Sequence, residues 1–598
     1  MNDQPNSTTE TKDFDKFSKN LTKIAEKSQK IVQNFLTQQM AEDKKGSSLP
    51  PALGAAFLEM TQQMMTNPEK AFAAQMKLWQ DHLALWQHTA NHAMGTKSPP
   101  VIQPQAGDRR FKDPEWDDNP LFSYIKQSYL LMAGWMQSHT ENLENMDEGT
   151  VRMVDFYTRQ FVDAIAPSNF ALTNPEVLRA TAESGGENLV NGLQNLLNDL
   201  ERGEGQLRIT QTDPEAFKLG ETIATTKGEV IYQNDLMQLL QFTPTTENVY
   251  KRPLLMIPPW INKYYILDLS EKNSFVRWAL DQGHTVFIIS WVNPDATLAK
   301  KTFEDYMHEG PLAALDAIQK ATGEDAINVL GYCIGGTLLA TTLAYLAVKK
   351  DTRVHSATFL TAMVDFEDAG ELSVFIDEAQ LADLEQKMEK RGYLEGHEMA
   401  AIFNRLRAND LIWSFVVNNY LLGKDPFPFD LLFWNSDSTR MPAAMHSFYL
   451  RRMYLENKLI EPGGLTFDGV PIDLRKIEVP TYILACREDH IAPWKSTYAA
   501  TQLYRGPVRF VLSASGHVAG VVNPPKKKKY NFWTADKNPN SPDAWLENAA
   551  ATDGSWWTDW GKWLAKKGGK KVPARKVGSG ALKAIEPAPG SYAKVREI

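Results

Sequence analysis

The chain has 598 residues, of which 43% are hydrophobic and 23% are charged, a composition typical of soluble globular proteins with several domains. Its formal net charge of −9 at pH 7 argues against a body that binds nucleic acid. Two cysteines are too few for a disulfide framework, and no apolar run approaches the roughly 18 residues that span a bilayer.

The first hundred residues carry two amphipathic helical patterns. The polar amino terminus lacks the apolar stretch of a secretory signal, so we expect a cytoplasmic protein. One pattern covers residues 13–40, and the second covers residues 69–93. The apolar residues of the second step by four, three, four and three: Phe72, Met76, Trp79, Leu83 and Trp86. Such a stripe is typical of a helix packed on its own domain or of a docking surface for a partner or an apolar surface.

A linker and a helical region follow this arm. Residues 95–108 contain the prolines and glycines of a linker, and helical patterns then cover residues 120–138 and 150–166. Asn174 and Pro175 predict the start of another helix, because proline suits the first helical turn. We therefore predict an amphipathic helical arm with its linker at residues 1–107, a helical domain at 108–216 and a catalytic domain at 217–598.

The catalytic region alternates strands with helices. An amphipathic helix is predicted over residues 302–320. Strands are predicted at residues 228–242, 253–257, 284–292, 326–330, 354–364, 480–486 and 508–513. This alternation indicates an α/β fold with a mostly parallel sheet and helices on both faces.

More than a hundred residues separate two of these strands. The stretch is helical in pattern and rich in aromatic residues, and it is much longer than one crossover helix requires. We predict a helical cap insertion at residues 366–478 that excludes water and shapes a hydrophobic substrate channel. A helical subdomain with its own core is compatible with that function.

A cysteine between glycines follows the strand at residues 326–330. The segment Gly331-Tyr332-Cys333-Ile334-Gly335 has the spacing of the nucleophile elbow of α/β-hydrolases, with cysteine in place of serine. Such a turn exposes the thiol above the sheet at the start of a helix, where the Ile334 N–H would stabilise an oxyanion. The alternative is a glycine-rich turn around a small buried cysteine.

The second oxyanion-hole donor is expected in the loop after the strand at residues 253–257. Pro258 and Pro259 have no N–H, so Ile261 or Trp260 is the candidate donor. The alternative is an ordinary turn stiffened by proline, with Trp260 serving only as packing.

Two later strand ends supply an acid and a base. Asp489 follows the strand at residues 480–486, and His517, flanked by Gly516, follows the strand at residues 508–513. The order nucleophile, acid, base is that of the α/β-hydrolase triad, so we predict Cys333, Asp489 and His517 as the catalytic residues.

Three residues close to this set in the sequence are alternative candidates or are expected to be inert. Glu488 is the rival acid, and His490 is a rival base that lies beside the acid rather than on a later loop. Cys486 ends a strand and is expected to be an inert packed thiol. The basic run Lys526–Lys529 is interpreted as a solvated loop.

From Asp108 onward the chain resembles the class I polyhydroxyalkanoate synthases. The segments that carry the resemblance are DRRFKDPEW, PSNFALTNPE, PPWINKYYILDL, GYCIGG, LRANDLIW, WNSDSTRMP, YLENKL, REDHIAPW, GHVAGVVNPP, GSWWTDWGKWL and the closing PGSY. The first hundred or so residues lack this signature. Some members have cysteine where this chain has Trp260, so a second catalytic thiol there is absent.

The resemblance implies an acyltransferase with an α/β-hydrolase fold that polymerises (R)-3-hydroxyacyl-CoA into polyester, with Cys333 carrying the chain as a thioester. It further implies a cytoplasmic homodimer associated with polyester granules, with no metal and no cofactor. The amino-terminal arm would contact the granule surface or granule-associated proteins. The alternative is a cysteine-dependent acyl-CoA thioesterase or related hydrolase, because the triad alone does not distinguish water from a hydroxyl acceptor.

Overall fold

The computed structural model describes residues 68–96, 98–140 and 146–596. It also describes a few isolated residues nearer the amino terminus: 19, 20, 22–24, 26, 27, 30, 56, 59 and 60. The predicted helix over residues 13–40 lies mostly outside the described residues. The chain divides into two compact units, one containing Met1–Asp213 with Phe403–Phe427 and the other Pro214–Ile402 with Pro428–Ile598.

The first unit is helical. Its α-helices are α1 (Pro68–Ala93), α2 (Glu115–Asp118), α3 (Pro120–Ser138), α4 (Glu148–Ala164), α5 (Pro175–Ser184) and α6 (Glu187–Arg202). The predicted helices over residues 120–138 and 150–166 correspond to α3 and α4, the latter beginning and ending two residues earlier. The predicted helix start is also confirmed, since the Asn174 side chain accepts the backbone N–H of Glu176 and Pro175 occupies the first turn of α5.

Helix α1 packs through a different face from its apolar stripe. Leu78 and Leu85 are buried against Leu131 of α3. The predicted stripe remains exposed, with exposed fractions between 43% and 70%: Phe72, Met76, Trp79, Leu83 and Trp86. The stripe is therefore a second apolar face that no described residue covers.

The residues Phe403–Phe427 belong to the first unit, although the sequence placed them in the cap of the catalytic domain. Their backbone pairs with side chains of α6. The Asn188 amide donates to the Leu421 carbonyl at 2.8 Å, and the Asn195 amide donates to the Asn419 carbonyl at 3.1 Å. These contacts link residues more than two hundred positions apart, so no local pattern predicts them.

The second unit is built on an eleven-stranded sheet. Its strands are β1 (Gly228–Gln233), β2 (Met237–Phe242), β4 (Leu254–Ile257), β5 (Val286–Trp291), β6 (Ile327–Tyr332), β7 (Val354–Leu360), β12 (Thr481–Cys486), β13 (Val508–Ser513), β14 (Asn531–Thr534), β15 (Ala550–Asp553) and β17 (Glu586–Pro587). Their order is β15-β14-β13-β12-β7-β6-β4-β5-β2-β1-β17. The central strands from β13 to β5 are parallel, as predicted, and the outer pairs are antiparallel.

Short strands form three small separate pairs. They are β3 (Asn248–Tyr250) with β16 (Lys571–Pro573), β8 (Tyr393–Leu394) with β9 (Met441–Pro442), and β10 (Thr466–Phe467) with β11 (Val470–Pro471).

Two predicted elements are interrupted in the structure. The single strand expected at residues 228–242 is a hairpin, because the Asn234 side chain accepts the N–H groups of Leu236 and Met237 and closes a turn. The helix expected at residues 302–320 is broken by Pro311, which lacks an N–H and follows a non-helical Gly310.

Helices cover both faces of this sheet. They are α7 (Phe275–Asp281), α8 (Phe303–Met307), α9 (Ala313–Thr322), α10 (Ile334–Lys349), α15 (Trp494–Tyr498), α16 (Ala500–Leu503), α17 (Pro542–Glu547), α18 (Trp557–Ala565) and α19 (Ser591–Lys594). Between β7 and β12 lie α11 (Glu378–Arg391), α12 (Gly396–Leu406), α13 (Asp430–Ser436) and α14 (Ala443–Phe448), followed by a π-helical turn at Tyr449–Leu455. No helix in the described ranges has an apolar stretch long enough to cross a bilayer.

Candidate active site

The cysteine elbow joins β6 to α10 at the carboxyl end of the sheet. Cys333 adopts φ 53° and ψ −128°, a strained conformation for a residue with a side chain that costs about 1–3 kcal/mol. A Cβ on Gly331 would lie 2.5 Å from the Gly336 Cα, and one on Gly335 would overlap the Ile257 carbonyl oxygen. The glycines are therefore required by close backbone approach, and the turn leaves Cys333 half-buried rather than enclosed.

Helix α10 holds this elbow rigidly. Every residue from Ile334 to Leu346 is buried, so the helix runs through the core beside the sheet. Ile334 is its first residue, where a backbone N–H has no acceptor within the helix and the dipole favours negative charge. This N–H is suited to an oxyanion formed at Cys333.

Asp489 and His517 come together at the ends of β12 and β13. The His517 Nδ1 lies 2.7 Å from the Asp489 Oδ2, and both side chains are almost completely buried. The other carboxylate oxygen of Asp489 accepts the backbone N–H groups of Ile491 and Ala492 at 2.9 and 2.8 Å. The carboxylate is thereby fixed in the orientation that holds the imidazole.

The histidine is electrostatically coupled to both partners. Burial alone lowers the pKa of His517, but the negative charges of Asp489 and Cys333 and hydrogen bonds to both raise this pKa to about 10. The arrangement therefore favours the imidazolium form of His517. An imidazole held in this way can exchange a proton with a neighbouring thiol or with a leaving group.

Tyr332 contacts His517 through its ring and its hydroxyl group. Its ring stacks on the His517 ring with centroids 5.6 Å apart, and its hydroxyl donates to the His517 backbone carbonyl at 3.1 Å. The histidine loop is further held by buried indoles, since Trp556 Nε1 donates to the Gly520 carbonyl and Trp557 Nε1 to the Val521 carbonyl. Both contacts fix the base relative to the elbow.

The predicted rivals differ from the residues of this cluster in their surroundings. Glu488 is exposed, and its backbone N–H donates to the Ser515 carbonyl. His490 is half-buried, and it is His517 that bonds the carboxylate of Asp489. Cys486 is fully buried, and burial raises the pKa of its thiol well above the ordinary value, which suppresses its reactivity.

Hydrogen bonds join the loop after β4 to the cap. The Thr439 N–H donates to the Ile261 carbonyl at 2.9 Å, and the Thr439 hydroxyl donates to the Trp260 carbonyl. The Trp260 ring is buried among aromatic side chains: Trp291, Phe303 and Tyr306. Both predicted oxyanion candidates therefore lie on an ordered loop, and the choice between their N–H groups stays a prediction.

A buried ion cluster, which no sequence pattern predicted, supports the same loop. The Asp437 side chain is fully buried, accepts the Tyr265 hydroxyl at 2.7 Å and lies 3.6 Å from Arg596. The Lys263 ammonium donates to the Val595 carbonyl at 2.6 Å. Burial lowers the pKa of Lys263 to about 8, although Asp437 opposes this shift. The carboxyl-terminal segment and the cap thus meet at the loop that carries the oxyanion candidates.

Three aromatic residues of the cap pack together in a cluster whose tyrosines are influenced by Cys333. Tyr449 and Tyr454 pack edge to face with centroids 5.3 Å apart, and Phe366 contacts both rings. Burial and the nearby charge of Cys333 raise the pKa of both tyrosines. They therefore remain neutral phenols within electrostatic range of the thiol. Their positions were predicted only as part of an aromatic cap, because the facing of individual residues depends on tertiary packing.

Two family models match parts of the chain. Residues 107–279 match the family described as "Poly-beta-hydroxybutyrate polymerase (PhaC) N-terminus", and residues 253–524 match the family described as "alpha/beta hydrolase fold". The second match covers the parallel strands from β4 to β13, the elbow and the histidine loop, so the second unit has the α/β-hydrolase fold that the sequence predicted.

Full-length relatives are also similar. The chain is 49% identical to the poly(3-hydroxyalkanoate) polymerase of Methylorubrum extorquens, with 98% of each chain covered. It is 46% identical to the corresponding polymerase subunit of Rhizobium meliloti, covering 98% of this chain and 96% of the other. The polymerase subunit of Cupriavidus necator is 44% identical, with 92% of this chain and 93% of the other covered.

Proposed function

Because the chain belongs to the poly(3-hydroxyalkanoate) polymerase family, we propose that it polymerises (R)-3-hydroxyacyl groups, delivered as CoA thioesters, and releases CoA. The observation that carries this proposal is the half-buried Cys333 thiol on a strained elbow, coupled to the buried His517–Asp489 pair. A thiol nucleophile suits an acyl group that arrives as a thioester.

In the proposed loading step, the Cys333 thiolate attacks the thioester carbonyl. The N–H of Ile334 and that of Ile261 or Trp260 stabilise the oxyanion. As the tetrahedral intermediate collapses, the carbon–sulfur bond to CoA breaks, and the His517 imidazolium donates its proton to the departing sulfur. One thioester replaces another, so this step is nearly balanced in free energy.

Elongation follows when a hydroxyl group attacks the acyl group on Cys333. Neutral His517 accepts the hydroxyl proton, a carbon–oxygen bond forms, and the bond to Cys333 sulfur breaks. The product is an oxoester, which is more stable than the thioester it replaces, so elongation proceeds downhill. A serine nucleophile would lose this driving force.

Water must be excluded if the acyl group is to reach a hydroxyl acceptor. The aromatic cluster of Phe366, Tyr449 and Tyr454 supports this role for the cap, because its two tyrosines are within electrostatic range of Cys333. Without such exclusion, the same triad would act as a thioesterase.

The exposed stripe of α1 supports an additional proposal, that the amino-terminal arm contacts the polyester granule in the cytoplasm. Its two tryptophans and three other apolar side chains form a continuous apolar face. Deleting residues 1–95 should leave acyl transfer intact and reduce sedimentation of the protein with granules. Unchanged sedimentation would contradict the proposal.

The experiment that tests the main proposal is incubation of the purified protein with (R)-3-hydroxybutyryl-CoA, following thiol release and product size together. We expect thiol release with high-mass polyester. Thiol release with only free 3-hydroxybutyrate would instead establish a thioesterase. The Cys333→Ala variant serves as the control and should release no CoA.

A further inference from the structure

Four consecutive lysines follow the histidine loop at the carboxyl end of the sheet. Lys526–Lys529 lie between His517 and β14, and all four side chains are exposed. In open α/β sheets, ligands bind outside the carboxyl ends of the parallel strands. Strand β14 runs antiparallel to β13 with Phe532 opposite Ser513, so the run before β14 lies at the carboxyl end of β13, on the side that carries Cys333.

This positive charge is not neutralised locally. In the ranges that the structure describes, no carboxylate forms an ion pair with Lys526, Lys527, Lys528 or Lys529. Exposed lysines elsewhere do pair, for example Lys495 with Asp543. A run of free cations is unusual on a chain whose net charge is −9.

One carboxylate faces the run, but it is engaged elsewhere. Asp430 accepts the Asn273 amide at 2.8 Å and the Ser270 hydroxyl at 3.1 Å. Desolvation by neighbouring atoms and the charge of Lys529 lower the pKa of Lys527, although its side chain is exposed, whereas Asp430 opposes this shift. The site therefore retains excess positive charge that an anion would relieve.

The lysine loop is held in place rather than free. The Asn523 side chain is buried and its amide donates to the Lys529 carbonyl at 3.2 Å. The preceding turn is fixed by the indoles of Trp556 and Trp557, which bond its carbonyl groups. A preordered loop loses little conformational freedom when it binds a ligand.

An aromatic side chain completes this surface. Tyr530 is 43% exposed, and both it and Lys528 have positive φ values of 64° and 48°. Non-glycine residues rarely adopt this conformation, and such strain clusters at ligand-binding segments. The backbone holds Tyr530 at the surface directly after the lysines, where its ring is available for stacking.

We propose that Lys526–Lys529 and Tyr530 form the docking site for the nucleotide end of the CoA thioester, with the lysines on its phosphates and the tyrosine ring on its adenine. This inference rests on the proposed function, because it names the part of that substrate which the triad does not contact. From the sequence, Lys526–Lys529 were interpreted only as a solvated loop, whereas the proposal gives them a binding role.

The test compares two substrates that share the reacting thioester. One is (R)-3-hydroxybutyryl-CoA, and the other is the (R)-3-hydroxybutyryl thioester of pantetheine, which lacks the phosphates and adenine. Changing Lys526, Lys527, Lys528 and Lys529 together to glutamine should raise KM for the CoA thioester by about tenfold or more and leave kcat within twofold. Turnover of the pantetheine thioester should not change.

A matched control removes the same charge from another part of the unit. It replaces four exposed lysines with glutamine: Lys562, Lys566, Lys570 and Lys583. This control should keep the wild-type KM for both substrates. An equal rise of KM in the control, or an equal rise for both substrates in the loop variant, would overturn the proposal.

A binding measurement separates this inference from the catalytic proposal. Adenosine 3′,5′-bisphosphate should bind the wild-type protein in a calorimeter, bind the loop variant at least tenfold more weakly, and bind the Tyr530→Ala variant several-fold more weakly. Absence of binding to the wild type, or equal binding to the loop variant, would overturn the docking site. Failure of the wild type to release thiol from either thioester would instead overturn the proposed function.

Discussion

Two buried histidines of the second unit have opposite surroundings at opposite ends of the sheet. His517, at the carboxyl end, has the carboxylate of Asp489 at 2.7 Å, and its pKa is raised to about 10. His284 precedes β5 at the amino end and stacks on Tyr250 with centroids 4.8 Å apart. Neither ring nitrogen of His284 has a hydrogen-bond partner among the described residues, and burial lowers its pKa to about 4.

The difference shows that burial alone does not make a histidine reactive. Both rings are hidden from solvent, with exposed fractions of 6% and 1%. The buried carboxylate beside His517 favours its charged form, whereas nothing compensates His284 for the loss of water. One histidine is therefore suited to proton transfer, and the other is a packed aromatic ring.

The largest expected effect comes from removing the carboxylate that distinguishes the two. Asp489→Asn should give His517 surroundings like those of His284 and reduce acyl transfer by about 10⁴-fold, the loss seen when a triad carboxylate becomes an amide. The asparagine oxygen still accepts the N–H groups of Ile491 and Ala492, so the loop should persist. Single-turnover CoA release measures the rate, and NMR titration should show that the pKa of His517 falls.

The same substitution should change how the free energy of unfolding depends on pH in the alkaline range. Protonated His517 stabilises the fold fully below about pH 6.5, the ordinary histidine value, and this contribution is lost as the pH rises through about 10. Asp489→Asn should therefore flatten the alkaline limb of a urea-denaturation pH profile. An alkaline limb unchanged from the wild type would contradict the coupling between these two residues.

A second expected effect concerns Lys263, a buried base that does have a carboxylate nearby. Asp437→Ala would leave Lys263 and Arg596 without their buried counter-charge, which should destabilise the second unit by about 3–5 kcal/mol. Urea denaturation at pH 7 measures this loss. Asp437→Asn keeps the volume and the bond to Tyr265 but also removes the charge, so it should be destabilised nearly as much if the counter-charge is the cause. Equal stability of the alanine variant and the wild type would show that the cluster is dispensable.

The third prediction concerns the acid limb. His284 is neutral in the fold and has a lowered pKa, so its contribution is complete above about pH 6.5 and is lost as the pH falls toward 4. His284→Phe keeps the stack on Tyr250 and removes the titration, so the acid loss should shrink by about 2–3 kcal/mol. His446 is buried with a similarly lowered pKa, so part of the acid limb should remain. An unaltered acid limb would contradict the prediction.

The smallest effect is expected beside the triad acid. Glu488→Gln should change acyl transfer by less than about twofold, because the exposed carboxylate of Glu488 is not the one that bonds His517. The same single-turnover assay applies, with Asp489→Asn as the comparison. A loss as large as that of Asp489→Asn would transfer the role of the acid to Glu488.

The parts of the site with local signals could be predicted from the sequence. The glycine spacing around Cys333, and the placement of Asp489 and His517 after successive strands, follow from backbone sterics and from the parallel arrangement of strands. The central strands β6, β12 and β13 lie within two residues of their predicted limits, because each is a short apolar run between turn residues.

The rest depends on contacts between distant segments. Asp437, Lys263 and Arg596 lie far apart in the chain, and no periodicity joins a cap residue to the carboxyl-terminal segment. The grouping of Phe403–Phe427 with the first unit likewise depends on side chains of α6. The hairpin at residues 228–242 was predicted as a single strand for a different reason. Its apolar residues indicate a strand throughout, and the turn depends on the side chain of Asn234.

The unequal accessibility of the two cysteines has a practical consequence for measuring the enzyme. Cys333 is half-buried on its elbow, whereas Cys486 is fully buried with a raised pKa, and the chain has no other cysteine. A thiol-specific alkylating reagent applied to the folded protein should therefore label one position per chain. The amount of label taken up counts the competent molecules in a preparation, so turnover can be expressed per active chain rather than per milligram.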